Sequence, residues 1–191
     1  MYTNERPDVL GDRNEVKAQF IEACERNDLS TLQKLLAWDD NSVSLACGLG
    51  QGFLAACASG CVAVVGELLA LTGGRFIDVH ANQEHALRNA CFGGHIAVIE
   101  ELLALDGDRR VNVHAVSEGA LRTACGAGQL RAVRLLLDLQ GDRRVDVHAA
   151  HEGAFWAACS EGHLSVVQLL LTLEGDRRVN VHAKAEEAFR D

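Results

Sequence analysis

Apolar residues recur in five stretches of the chain at positions i, i+3, i+6 and i+7. One of these stretches consists of Ile96, Ile99, Leu102 and Leu103. The other four are Leu29, Leu32, Leu35, Leu36; Val62, Val65, Leu68, Leu69; Leu130, Val133, Leu136, Leu137; and Leu164, Val167, Leu170, Leu171. This spacing places each set on one face of an α-helix. Because a single amphipathic helix cannot bury its apolar face alone, the pattern predicts that helices from neighbouring stretches pack together.

The stretches belong to a repeat with a period of 34 residues. The segment G-D-R-R begins at Gly107, Gly141 and Gly175, and V-N-V-H-A or V-D-V-H-A follows it each time. The pair Ala-Cys keeps the same period and is followed by a glycine. The cysteines are Cys57, Cys91, Cys125 and Cys159, and the glycines are Gly60, Gly94, Gly128 and Gly162. In an earlier copy Cys24 is followed by Asn27, and Asn also tolerates a left-handed backbone. Each copy is therefore predicted to contain a short helix that ends in a tight turn.

The turn leads into the amphipathic helix, so each copy forms a helix pair. We expect an all-α fold with about five pairs, near residues 17–37, 53–71, 85–105, 119–139 and 153–173, and a partial helix at 185–191. Residues 1–15 are predicted to be a polar N-terminal lead-in, and residues 16–191 to be the repeat domain. The glycine of G-D-R-R is expected to close the second helix of a pair, and the following Val-x-Val to form a short extended arm.

A glutamate stands at one fixed place in each copy. Its positions are Glu84, Glu118, Glu152 and Glu186. It is predicted to begin the first helix of the next pair, where negative charge offsets the exposed N–H groups. An arginine follows four residues later at Arg88, Arg122 and Arg190. This order and spacing favour a helical Glu–Arg pair.

A helix, a G-H-L-type turn, a longer helix and an arm containing V-N, at a period near 33, together resemble the ankyrin repeat. The matching segments are Gly94–Ile99, Gly128–Val133 and Gly162–Val167, and the resemblance covers roughly residues 16–191. The chain is a 34-residue variant that lacks the family's T-P-L-H tetrapeptide, with H-A-L-R at 85–88 in its place. The resemblance implies an ankyrin-type helix-turn-helix solenoid with extended arms or hairpin-like loops between the pairs. It also implies a concave face, lined by arms and first helices, that binds other proteins.

Composition narrows the classes of partner. Hydrophobic residues make up 48% of the 191 residues, and the formal net charge is -9. An acidic chain does not suit sequence-independent binding to nucleic acid or docking on anionic lipid. The N-terminal M-Y-T-N-E-R-P-D has no apolar core of a secretory signal, and no apolar run reaches the ~18 residues of a membrane span. We expect an intracellular, cytoplasmic protein that binds neither nucleic acid nor membrane.

Seven cysteines and eight histidines invite a metal or thiol interpretation. Equivalent residues in stacked helices lie roughly 8–10 Å apart, too far for a disulfide or for one shared zinc ion. The cysteines are therefore predicted to be small buried apolar residues. The recurring histidines His80, His114, His148 and His182 are predicted to bond backbone across copies, and a pH-sensing role is the alternative for them, since His titrates near neutrality. The turn residues His95 and His163 are predicted to be structural. No cofactor is expected, and no catalytic motif occurs.

Six arginines recur beside aspartates in the G-D-R-R segments. They are Arg109, Arg110, Arg143, Arg144, Arg177 and Arg178, and they follow Asp108, Asp142 and Asp176. One interpretation is local charge pairing within each solvated loop, which contributes little to stability. The other is a basic stripe for an acidic partner, and the sequence leaves both open.

Residues that break the repeat are the candidates for partner contact, because the fold does not dictate them. They are Asn82, Gln83, Val116, Ser117, Ala150, His151 and Lys184 on the arm tips, and Phe92, Trp156 and Glu161 along or near the ends of the first helices. Trp156 stands where other copies have Arg88 and Arg122. Since Trp is a favoured hot-spot residue, we expect Trp156 and Phe92 to contribute most.

The sequence thus predicts a non-enzymatic protein-interaction module that binds an unidentified partner protein. One alternative is a recognition arm of a larger enzyme or effector whose activity lies outside this chain. A catalytic or metal-binding protein is another alternative. A further hypothesis is self-association, or continuation of the repeat, at an open C-terminal end beyond the partial helix at 185–191.

Overall fold

A computed structural model describes residues 13–38 and 43–183, and all regular structure in these ranges is helical. The α-helices are α1 (Arg13–Glu25), α2 (Leu29–Trp38), α3 (Val43–Ser59), α4 (Val62–Leu69), α5 (Ala81–Gly93), α6 (Ile96–Leu103), α7 (Ala115–Gly126), α8 (Leu130–Leu137), α9 (Ala149–Ser160) and α10 (Leu164–Leu171). The predicted all-α class is confirmed. Helix α3 begins at Val43, well before the predicted start near 53, since its Leu and Ala residues favour a helix. The partial helix predicted at 185–191 lies outside the described residues.

The chain divides into two compact units. Unit 1 holds the described residues up to Ala56 together with Cys61–Ile77, and unit 2 holds Cys57–Gly60 together with residues 78–183. In unit 1, α1 packs on α2, and α2 packs on α4. In unit 2, α5, α7 and α9 pack side by side as first helices, and α6, α8 and α10 pack as second helices. Each first helix also packs on the second helix that follows it.

Each first helix ends in the left-handed turn that the sequence predicts. The φ angles of Gly60, Gly94, Gly128 and Gly162 are 73°, 67°, 69° and 76°, and Asn27 has φ 57°. A side chain at three of these glycines would also collide with the turn residue of the next copy. At Gly128, for example, a Cβ would overlap the His163 ring. The backbone conformation therefore favours glycine at all four positions, and close packing between copies also requires it at Gly60, Gly94 and Gly128.

The predicted apolar stripe is mostly buried in α4 and α8 and partly buried in α6, and one further position joins it. Ile99 and Leu102 are fully buried in α6, and so is Val98, which the stripe omits. Residues at the Val98 position are also buried in the other second helices, because close packing beside the first helices widens the buried face. The cysteines Cys24, Cys57, Cys91 and Cys125 are fully buried, as predicted for small apolar residues. Leu164 and Leu171 of α10 are instead 66% and 52% exposed.

The glycine of G-D-R-R does not close the second helix. Helix α6 ends at Leu103, and its C-terminal cap is Ala104 in a right-handed conformation. Gly107 begins a separate 3₁₀ turn, Gly107–Arg109, with φ 55°. The same turn occurs at Gly141–Arg143 and Gly175–Arg177. The expectation was wrong because three residues separate the helix from the glycine. The helix already ends at the first of them, Ala104, whose N–H donates to carbonyl groups of the last turn.

The Val-x-Val arm is extended at its start and buries both valines. Arg110 has an extended backbone, and Val111 and Val113 are only 3% and 2% exposed, whereas Asn112 between them is exposed. The arm thus inserts two apolar side chains into the core of unit 2. None of the helices in residues 13–38 and 43–183 is long and apolar enough to cross a membrane.

We expect Gly128→Ala to lower the free energy of unfolding by at least about 1–2 kcal/mol, because an L side chain is strained at φ 69° and meets His163. Gly126→Ala is the matched control. Its Cβ would make only an ordinary contact with Ala157, and alanine favours the helix. Urea denaturation of both variants measures the difference. Equal stabilities for the two would contradict the assigned turn.

Candidate functional site

A buried carboxylate anchors the arm of each copy in unit 2. Glu84, Glu118 and Glu152 are only 4%, 3% and 3% exposed. Oxygen Oε1 of Glu118 lies 2.6 Å from Nδ1 of His114, and Glu84 and Glu152 hold His80 and His148 at 2.7 Å. The glutamate was predicted to offset a helix terminus. It does lie in the first turn of its helix, and its carboxylate also binds the histidine four residues before it.

The same groups bond to the following copy. Nε2 of His114 lies 2.8 Å from the carbonyl oxygen of Asp142, and the backbone N–H of Asp146 donates to Oε1 of Glu118 at 3.2 Å. His80 with Glu84, and His148 with Glu152, make the equivalent bonds to the copies that follow them. We call these six residues the histidine–glutamate ladder. The prediction that the recurring histidines bond backbone across copies is confirmed for His80, His114 and His148.

The predicted Glu–Arg pair does not form at Arg88. Nη2 of Arg88 donates to the carbonyl oxygen of Asn82 at 2.9 Å, and Nη1 of Arg122 donates to that of Val116 at 3.3 Å. The helical spacing is misleading here because Glu84 and Glu118 lie in a left-handed turn, not in the right-handed helix that the pairing rule assumes. These arginines bind the arm tips of their own copies.

At the three described arm tips, three consecutive residues within the first turn of α5, α7 or α9 adopt the left-handed conformation. In the second of these turns the φ angles of Val116, Ser117 and Glu118 are 57°, 50° and 59°. The equivalent residues 82–84 and 150–152 lie between 52° and 61°. Non-glycine residues occupy this region at a cost of roughly 1–2 kcal/mol each. The third residue is always the buried glutamate, so its bonds hold the strained turn in place.

A second set of cross-copy bonds fixes the first helices. Nε2 of His95 donates to the carbonyl oxygen of Ala58 at 2.8 Å, and Nε2 of His163 donates to that of Gly126 at 2.9 Å. Gln129 occupies the same position in the copy between them and donates to Phe92 at 3.0 Å. The structural role predicted for His95 and His163 is confirmed. A glutamine performs it equally, so no ring chemistry is needed at this position.

The arginines of G-D-R-R pair between copies, not within one loop. Arg110 makes a bidentate pair with Asp142 at 2.6 and 2.8 Å, and Arg144 pairs with Asp176 in the same way. The Arg110 guanidinium lowers the pKa of the Asp142 carboxyl. The other arginine of the doublet reaches further back: Arg143 donates to the carbonyl oxygen of Leu103 at 2.6 Å, at the end of α6. Arg177 likewise donates to Leu137 at the end of α8. The expectation of local pairing is wrong because the facing acceptors come from neighbouring copies.

Two buried thiols of unit 2 are much less acidic than an ordinary cysteine. Burial raises the pKa of Cys91 and of Cys125 to about 12, which keeps both protonated near neutral pH. Within the described ranges, no group of three or more His, Cys, Asp or Glu side chains is placed to hold a metal ion.

The candidate contact residues lie mainly on the surface. Those on the described arm tips and near the ends of the first helices are exposed, namely Asn82, Gln83, Phe92, Val116, Ser117, Ala150, His151 and Glu161. Phe92 is 65% exposed. Trp156 is half-buried, and its ring meets Phe155 edge-on with centroids 5.7 Å apart. Lys184 lies outside the described residues. We call the exposed tip residues of the three left-handed turns, together with Phe92 and Trp156, the tip surface.

Two arginines near the tips were not among the predicted contact residues. The stem of Arg88 passes over Gly119 of the next copy, and that of Arg122 passes over Gly153, each where a Cβ would lie within 3.0 Å. The sequence does contain a signal for this contact. Gly119 and Gly153 stand at the start of a first helix, and each lies one copy after the arginine that covers it. Because both guanidiniums are half-buried beneath exposed tips, they support the tip surface from below.

Comparison with models of known protein families yields no match for this chain, and comparison with curated proteins yields none either.

Glu118→Ala is expected to lower the free energy of unfolding by about 2–3 kcal/mol, because it removes bonds from His114 and from the backbone of Asp146. Glu101→Ala, on the exposed face of α6, is the control and should change it by no more than about 0.5 kcal/mol. Chemical denaturation compares the two. A Glu118→Ala protein as stable as the control would contradict the anchoring role.

Val116→Asn is expected to raise the free energy of unfolding by about 1 kcal/mol, because Asn tolerates the left-handed conformation better than a β-branched residue. Asn82 already occupies the equivalent position one copy earlier, at φ 52°. Val116→Ile keeps the β-branch and should bring no gain. A thermal melt of the three proteins tests this, and a destabilised Val116→Asn protein would count against the left-handed turn.

Proposed function

We propose that unit 2 is a protein-binding module, and that the tip surface contacts the partner. The observation that carries this proposal is that each arm contains both recurring residues that fix its backbone and exposed residues that vary. Glu118 and His114 hold the turn by bonds that recur in three copies, whereas the neighbouring Val116 and Ser117 are exposed and differ from copy to copy. A fixed backbone that carries variable exposed side chains is the arrangement expected of a recognition surface.

Rigid tips favour binding because less conformational entropy is lost when the partner docks. Each left-handed turn is held by a buried carboxylate, and in two copies an arginine also binds a tip carbonyl. The strain in the turn also has a functional interpretation, since strained backbone is retained where the surrounding structure enforces it. On this proposal the ladder keeps the tips in their binding conformation before the partner arrives.

Two aromatic residues provide the apolar part of the tip surface. The side chain of Phe92 is exposed near the end of α5 and does not recur in the repeat, since Gly126 and Ser160 occupy its position in later copies. Trp156 replaces the arginine of the two preceding copies and leaves part of its ring accessible. Buried aromatic anchors contribute a large share of the energy of protein interfaces. We infer that these two side chains form the centre of the contact.

We also propose that the helix pairs form an ankyrin-type solenoid. Supporting this are the helix–turn–helix copies at a constant period, and the cross-copy bonds that recur between equivalent atoms in unit 2. The histidine–glutamate ladder takes the place of contacts that the absent T-P-L-H tetrapeptide would make in that family. This assignment accounts for the protein-binding role without a catalytic group.

The test is affinity capture on immobilised protein, with Phe92→Ala as the probe of the tip surface. Leu164→Ala is the matched control, because Leu164 is equally exposed, at 66% against 65%, but begins the second helix α10. A partner protein should be retained by the unmodified chain and the control, and reduced at least about tenfold by Phe92→Ala. Both variants should have the same melting temperature as the unmodified protein, since truncation of an exposed side chain alters stability little. Equal retention on all three surfaces would refute the tip surface as the binding site.

A further inference from the structure

The ladder histidines each contact two hydrogen-bond acceptors. His114 lies between the carboxylate of Glu118, 2.6 Å from Nδ1, and the carbonyl oxygen of Asp142, 2.8 Å from Nε2. A neutral imidazole carries only one N–H, so it can donate to one of the two and must turn a lone pair toward the other. An imidazolium donates to both. His80 and His148 are placed in the same way.

The carboxylate depends on that second proton as well. Glu118 is 3% exposed, and its Oε2 is buried without a hydrogen-bond partner among the described residues. When His114 is protonated, this charge is offset chiefly by the imidazolium at Oε1 and by one backbone N–H. Removing the proton from His114 leaves a buried carboxylate without its counter-charge, which is costly. The three copies share this arrangement. Glu84 and Glu152 are also buried, and among the described residues their Oε2 atoms have no hydrogen-bond partner either.

The groups around each ring favour the protonated form. His80 faces Glu84 and Asp78 of its own copy, and His114 faces Glu118 and Asp142, whose carboxylate is paired with Arg110. These carboxylates and carbonyls raise the pKa of His80 and His114 above the ordinary histidine value, with the bond to the glutamate as the largest cause.

The third ring has cations nearby as well. His148 faces Glu152 and Asp146, and it borders a small cavity that Arg144, Asp176 and Arg177 also line. Arg144 is neutralised by its pair with Asp176, while Arg177 is directed to a helix end. The pKa of His148 is raised as in the other copies, with the bond to Glu152 as the first cause.

We propose that the histidine–glutamate ladder is a pH-operated clasp between copies of unit 2. It is closed when both nitrogens of each ladder imidazole carry a proton, and it opens when one of these protons is lost. When a proton is lost, the neutral imidazole keeps only one of its two bonds and no longer offsets the charge of the buried glutamate, which weakens the hold on the left-handed tip turn and on the next copy. Alkalinisation therefore loosens the arms of unit 2 while the helix cores remain packed.

The sign of the effect follows from linkage. A histidine whose pKa is raised on folding binds its proton more tightly in the folded chain than in the unfolded one. Its contribution is fully present below the ordinary pKa of about 6.5, and it is lost as the pH rises through the raised value. In that window each ladder histidine multiplies the unfolding constant by up to about tenfold per pH unit. Three histidines that titrate together give a slope of log K against pH that approaches three.

The first experiment measures that slope by urea denaturation between pH 5.5 and 9. His114→Gln should reduce the slope by about one proton, and Glu118→Gln should do the same because it keeps the shape but removes the charge that holds the proton. His163→Gln is the matched control: it reproduces the residue that Gln129 supplies at the same position, and it should leave the slope unchanged. A slope that is the same in all four proteins would overturn the proposal.

A second measurement reports on the arms alone, so the result does not depend on how well the variants fold. Hydrogen exchange at the amides of Asn112, Asp146 and Asn180, which donate to the ladder glutamates, is compared with that of Ile99 inside α6. After correction for intrinsic rates, protection at the three arm amides should fall by at least about tenfold from pH 6 to pH 8.5, with Ile99 unchanged. Protection that stays constant, or that falls equally at Ile99, would refute a local clasp.

Discussion

A carboxylate removed from water must be matched by donors, and in unit 2 this requirement shapes everything around the arms. Glu118 is almost fully buried, and its Oε1 binds His114 of the same copy and the backbone of Asp146 in the next. The histidine in turn reaches the carbonyl of Asp142. One buried charge thus closes a tip turn and joins two copies. The same is true of Glu84 and Glu152, so the junctions of unit 2 share one chemical basis.

Burial at the ladder also explains why the tips can hold a strained backbone. Three left-handed residues in succession are costly for side chains such as Val116. The cost is offset because the third residue is the glutamate, whose bonds would be lost in any relaxed conformation. The strained backbone and the buried carboxylate therefore both follow from the position of the glutamate at the end of the turn. The exposed residues of the turn differ from copy to copy, and the bonds of the ladder do not involve their side chains.

Most of the charged residues in the G-D-R-R segments serve the junctions as well. Arg110 and Arg144 bind aspartates of the next copy, and Arg143 and Arg177 cover carbonyl groups at helix ends. These side chains are thereby committed within the chain, which weakens the interpretation of a basic stripe reserved for an acidic partner. The variable surface that remains is formed by the tips, Phe92 and Trp156. This surface contains both apolar and polar side chains, and the arginines Arg88 and Arg122 lie beneath it.

Features of the fold that depend on neighbouring residues could be predicted from the sequence. The 34-residue period, the helix pairs, the left-handed glycine turns and the buried cysteines are all local, because backbone preference and helical periodicity are set within a few positions. The partners of the charged side chains, in contrast, depend on how the copies pack. Glu118 could pair with Arg122 or His114 by spacing alone, and Arg110 could pair with Asp108 or Asp142. The acceptors chosen lie 28 to 40 residues away in the cross-copy bonds. No local pattern specifies them, since they come into reach only when one copy packs against the next.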